Sequence, residues 1–456
     1  MAQAISTQAR QDLLEVVSAW FTRHGQASNL DAVEAVAEQA QRLVGQAILE
    51  VGLLQVGGKA TYEGRQLPCP CGEQARFVGY RSRYVHSLCG EARVRRAYYH
   101  CPTCHRGQLP WDAAQGLSEK GQTPRLKGAV CQVMGRLVYA EGVALLWELC
   151  GVRLEESTAE AIVQEVGPRL RVEETRRVET LKAKTERATQ AFLMLEGAEE
   201  VPVAALPVRP VQGQRLYVGA DATTAHIDGG WHHVQNALVF TVSPDAKGRD
   251  TLLQRAYLAG RMDMESLGWR LRSLAALWNV GAYSEVVFLG DGAPCNWNLA
   301  ATHFPTAIPI LDFWHASEHV WELSRALYRQ DDPAQKALGD QWVAERLESL
   351  KSEGPKPLLK VLARRQGKTE AQQEALRLAR HYFTENAARM QYPKHLAAGR
   401  MIGSGPVEAA CKSVVGVRLK QAGMRWSDAG ADAVLAVRTT LLNGDGARLA
   451  EVARAA

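Results

Sequence analysis

Leu216-Tyr217-Val218-Gly219-Ala220-Asp221 is a short apolar run that ends on an acid, and Val286-Val287-Phe288-Leu289-Gly290-Asp291 repeats the arrangement farther along the chain. Short apolar runs bounded by turn signals read as buried strands. Asp221 and Asp291 therefore fall at the C-terminal ends of two strands. A third acid, Glu408, lies in Gly403-Ser-Gly-Pro-Val-Glu408, where Ser404 or Gly405 suits a helix cap and Pro406 its first turn.

Outward from these runs, residues 214–312 alternate strand and helix signals. Strands are expected at 215–222, 231–242, 253–259, 285–290 and 307–311, a helix at 263–279, and a short helix between the last two strands. Three strand signals in succession followed by alternation predict a mixed sheet flanked by helices. Asp221 and Asp291 are 70 residues apart (291 − 221), whereas Asp291 and Glu408 are 117 apart (408 − 291). The second separation is too long for a loop. The polar, helix-patterned stretch from Trp314 to about Ala398 explains it as a helical insertion, with breaks at Pro333, Gly354-Pro355 and Pro393.

Three carboxylates converging on one pocket would repel one another unless a cation joined them. Hard cations take carboxylate oxygens, and a pair of Mg²⁺ ions can activate an attacking oxygen and stabilise a leaving one in phosphodiester chemistry. The structural alternative is that Asp221 and Asp291 are turn or cap residues and Glu408 a first-turn glutamate favoured by the helix dipole.

The chain has 456 residues, 46% hydrophobic and 23% charged, which is the composition of a soluble protein of several domains. No apolar run is long enough for a membrane span and no secretory pattern opens the sequence, so a cytoplasmic location is expected. The net charge of +5 is mild but unevenly spread. Eight arginines stand between Arg65 and Arg106 against Glu73 and Glu91, a local excess of six positive charges. Arg81, Arg83, Arg95 and Arg96 interleave there with Tyr84, Tyr98 and Tyr99, a pattern suited to a phosphate backbone.

Nine cysteines in clustered spacing argue for metal binding over a disulfide framework. Cys101-Pro-Thr-Cys104 is a zinc knuckle, and Cys69-Pro-Cys71 supplies a tighter second pair. A structural Zn²⁺ on Cys69, Cys71, Cys101 and Cys104 is expected, with Cys89 or His105 as substitutes for one of them. Helices at Leu126–Tyr139, Ala140–Leu149 and Ser157–Leu170, joined through Cys150-Gly151-Val152, read as a helix-turn-helix. Ser157 or Thr158 would cap its third helix and Gln164 could reach a base edge. Beyond Glu408, Lys412 lies one turn along the same helical face. Arg418, Lys420, Arg425 and Trp426 follow as candidate DNA contacts.

Gly290-Asp-Gly-Ala293 with Trp297, Leu311-Asp-Phe-Trp-His-Ala-Ser-Glu318, and Gly403 to Lys412 continuing to Arg418-Leu-Lys420 and Gly423-Met-Arg-Trp426 together resemble the DDE transposases of bacterial insertion sequences. The likeness is to the Kra-type insertion-sequence family and the related Mutator-like group, over roughly residues 60–440. It implies an α/β RNase H-like catalytic core, 214–312 plus 403–445, interrupted by a helical insertion, 313–402. Before the core would come an N-terminal helical segment (1–60), a small zinc-ribbon-like module (61–120), and a helix-turn-helix with a connecting helix (121–200). Asp221, Asp291 and Glu408 fall on the family's metal-binding acids, served by two Mg²⁺ ions or Mn²⁺. Asp312 and His315 match an aspartate and a histidine of such enzymes, and His315 would approach the scissile phosphate. One departure is Trp231-His-His-Val-Gln235, where the family often has an acid after the tryptophan. The implied function is DNA cleavage and strand transfer on double-stranded DNA, at terminal repeats and target, by a homodimer or larger assembly at the bacterial nucleoid. The alternatives are a catalytically silent DNA-binding regulator or an RNase H-like structure-specific nuclease.

Overall fold

A computed structural model describes residues 7–24, 29–57, 62–117, 120–193, 215–244 and 250–454. Residues 194–214, with Pro202, Pro207 and Pro210, lie outside the described residues. The chain divides into two units, Met1–Val130 with Ala140–Glu156 and Ala453–Ala456, and Cys131–Tyr139 with Ser157–Val452.

In the first unit, the helices Thr7–His24 and Leu30–Gly57 precede a four-stranded antiparallel sheet of β1 (Gln66–Pro68), β2 (Gln74–Ser87), β3 (Gly90–His100) and β4 (Gly107–Gln108), in that order. The strand signals at 76–80 and 93–99 thus extend into one long hairpin. Alternation along it buries Val85 and Val94 against Trp111 on one face, while Tyr80, Tyr84, Arg93 and Arg95 stay exposed. A second cluster, Ala75, Ala97 and Tyr99 with Cys69 and Cys101, closes the knuckle end. The helix Tyr139–Cys150 ends at Gly151, whose φ of 65° is the left-handed conformation that glycine supplies at a helix C-terminus.

The second unit is built on a five-stranded mixed sheet: β5 (Arg215–Ile227), β6 (Gly230–Pro244), β7 (Asp250–Gly260), β8 (Glu285–Gly290) and β9 (Ile308–Leu311). The spatial order is β7-β6-β5-β8-β9, antiparallel through β5, β6 and β7 and parallel from β5 to β8 to β9. Five strands and the intervening helices Met264–Leu277 and Pro294–His303 occur where the periodicity predicts them. One difference matters: β5 does not stop at Asp221 but runs on to Ile227, because β6 continues to pair with it after β8 has ended.

From Phe313 to Ala397 the chain is helical, as expected of the insertion. Its return to the sheet is pinned by backbone groups. Met401 N–H donates to the Tyr217 hydroxyl at 3.1 Å, and Phe313 N–H to the Ile402 carbonyl at 2.8 Å. Arg215 donates to the Gly399 carbonyl at 2.9 Å. Arg215 and Arg400 also flank Glu285, at 2.5 Å each.

Where three helices of a helix-turn-helix were expected, three helices occur with other bounds. The first helix is Pro124–Met134, and the third begins at Glu156 and continues to Leu193. Ser157 and Thr158 therefore sit inside its first turn and are not its caps. A Cβ on Gly167 would come within 2.5 Å of the Ala433 Cα, so this glycine lets that helix cross Asp428–Leu442 at close range.

Candidate functional site

The parallel register of β5 and β8 pairs Arg215 with Glu285 and Gly219 with Leu289, a constant offset of 70. Asp221 and Asp291 have the same offset. Both lie two residues past the last bonded pair, Asp221 within β5 and Asp291 just after β8 ends at Gly290.

Asp221 faces the same side as Gly219, since side chains alternate. On that side lies the helix Gly405–Ala410, which carries Glu408. A Cβ at Gly219 would meet Val407 Cγ2 at 2.6 Å, so only glycine lets this helix seat on β5. Pro406 occupies its first turn and Ser404 its N-cap position, but the serine hydroxyl does not cap. It donates instead to Asp312 Oδ2 at 2.7 Å, while Ser404 N–H donates to Oδ1 at 3.0 Å. Asp312 is buried at the end of β9, and the same Oδ1 accepts from Trp314 N–H at 3.1 Å, capping the helix Phe313–Leu327. One carboxylate thereby ties the sheet, the insertion and the Glu408 segment together.

The remaining local partners are specific. Asp291 Oδ1 accepts from Ala293 N–H at 3.0 Å and Asn296 Nδ2 at 2.9 Å. Asp221 Oδ1 accepts from Ala222 N–H at 2.7 Å, and Cys411 Sγ donates to Oδ2 at 3.5 Å. Cys411 begins a π-helical turn, Cys411–Gly416, the kind of helix irregularity often found at functional sites. Burial, then the Asp221 charge, pushes its thiol up to about 12. Glu408 pairs with Lys412 Nζ at 2.7 Å on an exposed surface. That hydrogen bond, with His315 also in electrostatic reach, holds its carboxyl below the usual range. His315, half-exposed, lies 3.3 Å from Glu318 and 4.0 Å from Asp312.

Among the described residues, the group of acids, histidines and cysteines close enough to share one metal ion is Cys69, Cys71, Cys101 and Cys104, whose ligand atoms lie within 4.8 Å of one another. Asp221, Asp291 and Glu408 are not all that close. The cysteine sulfurs are 3.5 Å apart for Cys69 and Cys104 and 3.7 Å for Cys71 and Cys101. Tetrahedral thiolates about 2.3 Å from zinc stand roughly 3.8 Å apart, so the four fit a structural Zn²⁺. Cys89 and His105 lie outside the group. Backbone N–H donation, chiefly from Cys104, lowers the Cys101 thiol to about 6, whereas at Cys71 backbone donation from Glu73 is outweighed by the neighbouring sulfurs, Cys69 first, which raise that thiol to about 12.

The candidate DNA-contact residues divide by burial. Arg95 is exposed with its guanidinium 5.1 Å over Tyr80. Lys412, Lys420, Arg425, Ser157 and Gln164 are exposed, Thr158 half-buried. Lys420 donates to Thr223 at 2.9 Å. Arg96 is not available for a phosphate: it is buried, with Nε and Nη2 on Asp112 at 2.8 and 3.1 Å. Arg418 is likewise buried, donating to the Met134 carbonyl at 2.9 Å with its guanidinium 4.7 Å from the Tyr139 ring and 5.0 Å from Trp426. Trp426 is half-buried and bridges alongside the end of β5, its backbone N–H donating to the His226 carbonyl at 3.2 Å. Both arginines and the tryptophan are structural because partners distant in sequence surround them.

No protein-family model matches this chain, and no curated protein does.

Sequence reasoning missed Cys411, Asn296 and Tyr382, whose hydroxyl donates to the Asp291 carbonyl at 3.2 Å. Asn296 was within reach, since an asparagine five residues after an acid, opening a helix, can bond back to it. In the helical stretch after β9, Trp321 and Trp342 are half-buried, while Trp314 is 64% exposed beside Gly403.

Proposed function

We propose that this chain is a DNA transposase whose RNase H-like core cleaves and joins DNA at Asp221, Asp291 and Glu408. The observation that carries the reading is the parallel register of β5 and β8, whose offset of 70 puts Asp221 and Asp291 the same two residues past the last bonded pair, with the helix that carries Glu408 seated on Gly219 of β5 through Val407. The mixed sheet, its antiparallel half first and its parallel half after, supports the core assignment.

The three carboxylates offer the all-oxygen donor set that Mg²⁺ or Mn²⁺ prefers. Their present partners are weak competitors: an exposed ion pair at Glu408 and a long thiol contact at Asp221. When bound, such ions polarise the phosphate and lower the pKa of an attacking water or 3′-hydroxyl. This chain's own part is to hold Asp291 through Asn296, to fix the Glu408 segment through Asp312, and to present His315 beside them. Lys412, Lys420 and Arg425 would hold phosphates nearby, and the exposed Arg95, Tyr80 and Tyr84 face of the zinc-ribbon-like module and the helix-turn-helix would grip terminal-repeat DNA.

The test is purified full-length protein with Mg²⁺ and DNA from the sequence flanking its own gene, read for cleavage and for joining. Binding with neither reaction would sink the catalytic reading. The local pairing of Glu408 with Lys412 favours, as the second reading, a silent DNA-binding regulator. In that case wild type and Asp291→Asn behave alike.

A further inference from the structure

We infer that Asn236 and Cys411 are positioning residues for Asp221, a polar layer behind it that holds one carboxylate oxygen so that the group keeps a single orientation toward a cation. This role rests on the metal-dependent reading above and extends it to β6 and to the π-helical turn.

In the antiparallel pair of β5 and β6, Asn236 stands directly opposite Asp221, so the two side chains share one sheet face. The helix that starts at Gly405 crosses that face. Val407 meets Gly219, and Cys411, four residues on and therefore on the same side of the helix, meets Asp221, two residues on along the strand. One helical turn and two strand residues advance by about 5.4 and about 6.6 Å, so the two contacts keep step.

Asn236 has no exposed surface, and among the described residues neither its Nδ2 nor its Oδ1 has a hydrogen-bond partner. Its other neighbours on that face are apolar: Val234 and Leu238, two residues either way along β6, and Ala259 opposite it on β7, all fully buried. A buried amide without partners is a cost that an apolar residue of the same volume avoids, so packing alone does not ask for asparagine here. The polar groups it can serve are the Asp221 carboxylate and the Cys411 thiol. The amide lacks a hydrogen bond of ordinary geometry to that thiol, yet it lies near enough to pull it down against burial and the Asp221 charge. Cys411 Sγ in turn donates to Asp221 Oδ2 at 3.5 Å. With Nδ2 directed at the sulfur, amide, thiol and carboxylate form one chain whose donors all point toward Asp221 and strengthen one another.

The experiment measures Mn²⁺ binding to the full-length protein without DNA, by loss of the free-ion electron paramagnetic resonance signal, with thermal melting beside it. Asp221→Asn defines the binding that depends on the acids. Asn236→Leu removes the amide at similar volume. It should melt no lower than wild type yet bind Mn²⁺ about 10- to 100-fold more weakly, the usual effect of losing a group that orients a ligand. A side chain kept only for packing would not separate the two readouts. Should Asn236→Leu not fold, Cys411→Ala and Cys411→Ser carry the test: the alanine is expected to lose the affinity, and the serine, which keeps a donor, to recover most of it. Wild-type affinity in Asn236→Leu and in Cys411→Ala overturns the positioning roles and leaves the metal site standing. Equal Mn²⁺ binding by wild type and Asp221→Asn overturns both.

Discussion

Asp221 and Asp291 each lie two residues past the last bonded pair of β5 and β8, which pair at an offset of 70 from Arg215 with Glu285 to Gly219 with Leu289; Asp221 is still inside β5, and Asp291 follows the end of β8 at Gly290. Each carboxylate has a partner of its own, Asn296 on Asp291 and Cys411 on Asp221.

If the pair works on a cation, Asp291→Asn should abolish cleavage and joining, by more than about 100-fold, with the fold intact. Asn296→Ala should cost about 10- to 100-fold, the usual effect of removing a group that orients a ligand. Single-turnover cleavage at increasing Mg²⁺ checks both. Equal rates for wild type and Asn296→Ala would show that Asp291 needs no such support.

Gly219→Ala puts a methyl 2.6 Å from Val407 Cγ2 and should destabilise the protein by about 1–3 kcal/mol, displacing the Glu408 helix. Val407→Ala in the same chain should restore part of the loss. A double-mutant cycle in denaturant reads the coupling, and simple additivity would mean that the two do not touch.

Asp312→Ala strips the acceptor from Ser404 N–H, Ser404 Oγ–H and Trp314 N–H in a buried place. A loss of about 2–4 kcal/mol is expected, and Ser404→Ala should cost less because it removes one bond. Chemical unfolding of the two variants tests the ranking.

Glu285 lies between Arg400 and Arg215, and the Arg400 hydrogen bond, with help from Arg215, holds its carboxyl at about 2 against an ordinary 4.5. A depressed folded-state pKa stabilises above the unfolded value and is lost as pH falls from 4.5 towards 2. The contribution is at most about 3 kcal/mol. In Glu285→Gln, the difference in unfolding free energy from wild type should shrink over that window. A difference constant from pH 6 to pH 2.5 would contradict it.

Metal analysis of protein prepared without chelator should find one zinc ion per chain. Cys101→Ser should lose it and lower the melting temperature, whereas Cys89→Ser should keep it, since Cys89 lies outside the four-sulfur group. Equal zinc content in Cys101→Ser and wild type would exclude the site.

The order of strands and helices from β5 to the end of the insertion was readable because burial there follows local periodicity. The run into Asp291 ends in a turn, as the glycine before it signals. The run into Asp221 does not, because pairing with β6 overrides the local turn signal and carries the strand on to Ile227. The site was legible only as residue types. That Ser404 bonds Asp312 in place of capping its own helix depends on a contact 92 residues away.

The sequence by itself determined the alternation of elements, the knuckle cysteines, the acid that follows β8 and the glutamate in the first turn of a short helix, since each follows from neighbours a few residues apart. Tertiary structure alone decided which basic residues face water. Arg95 and Arg96 are adjacent in a strand, yet one is exposed and the other is clamped on Asp112. Arg418 reads as a DNA contact until the Met134 carbonyl, 284 residues earlier, is seen to accept its Nε–H. A charge near an active site can be either a ligand grip or an internal brace. Only the partners that surround it in space, which local sequence does not encode, settle which.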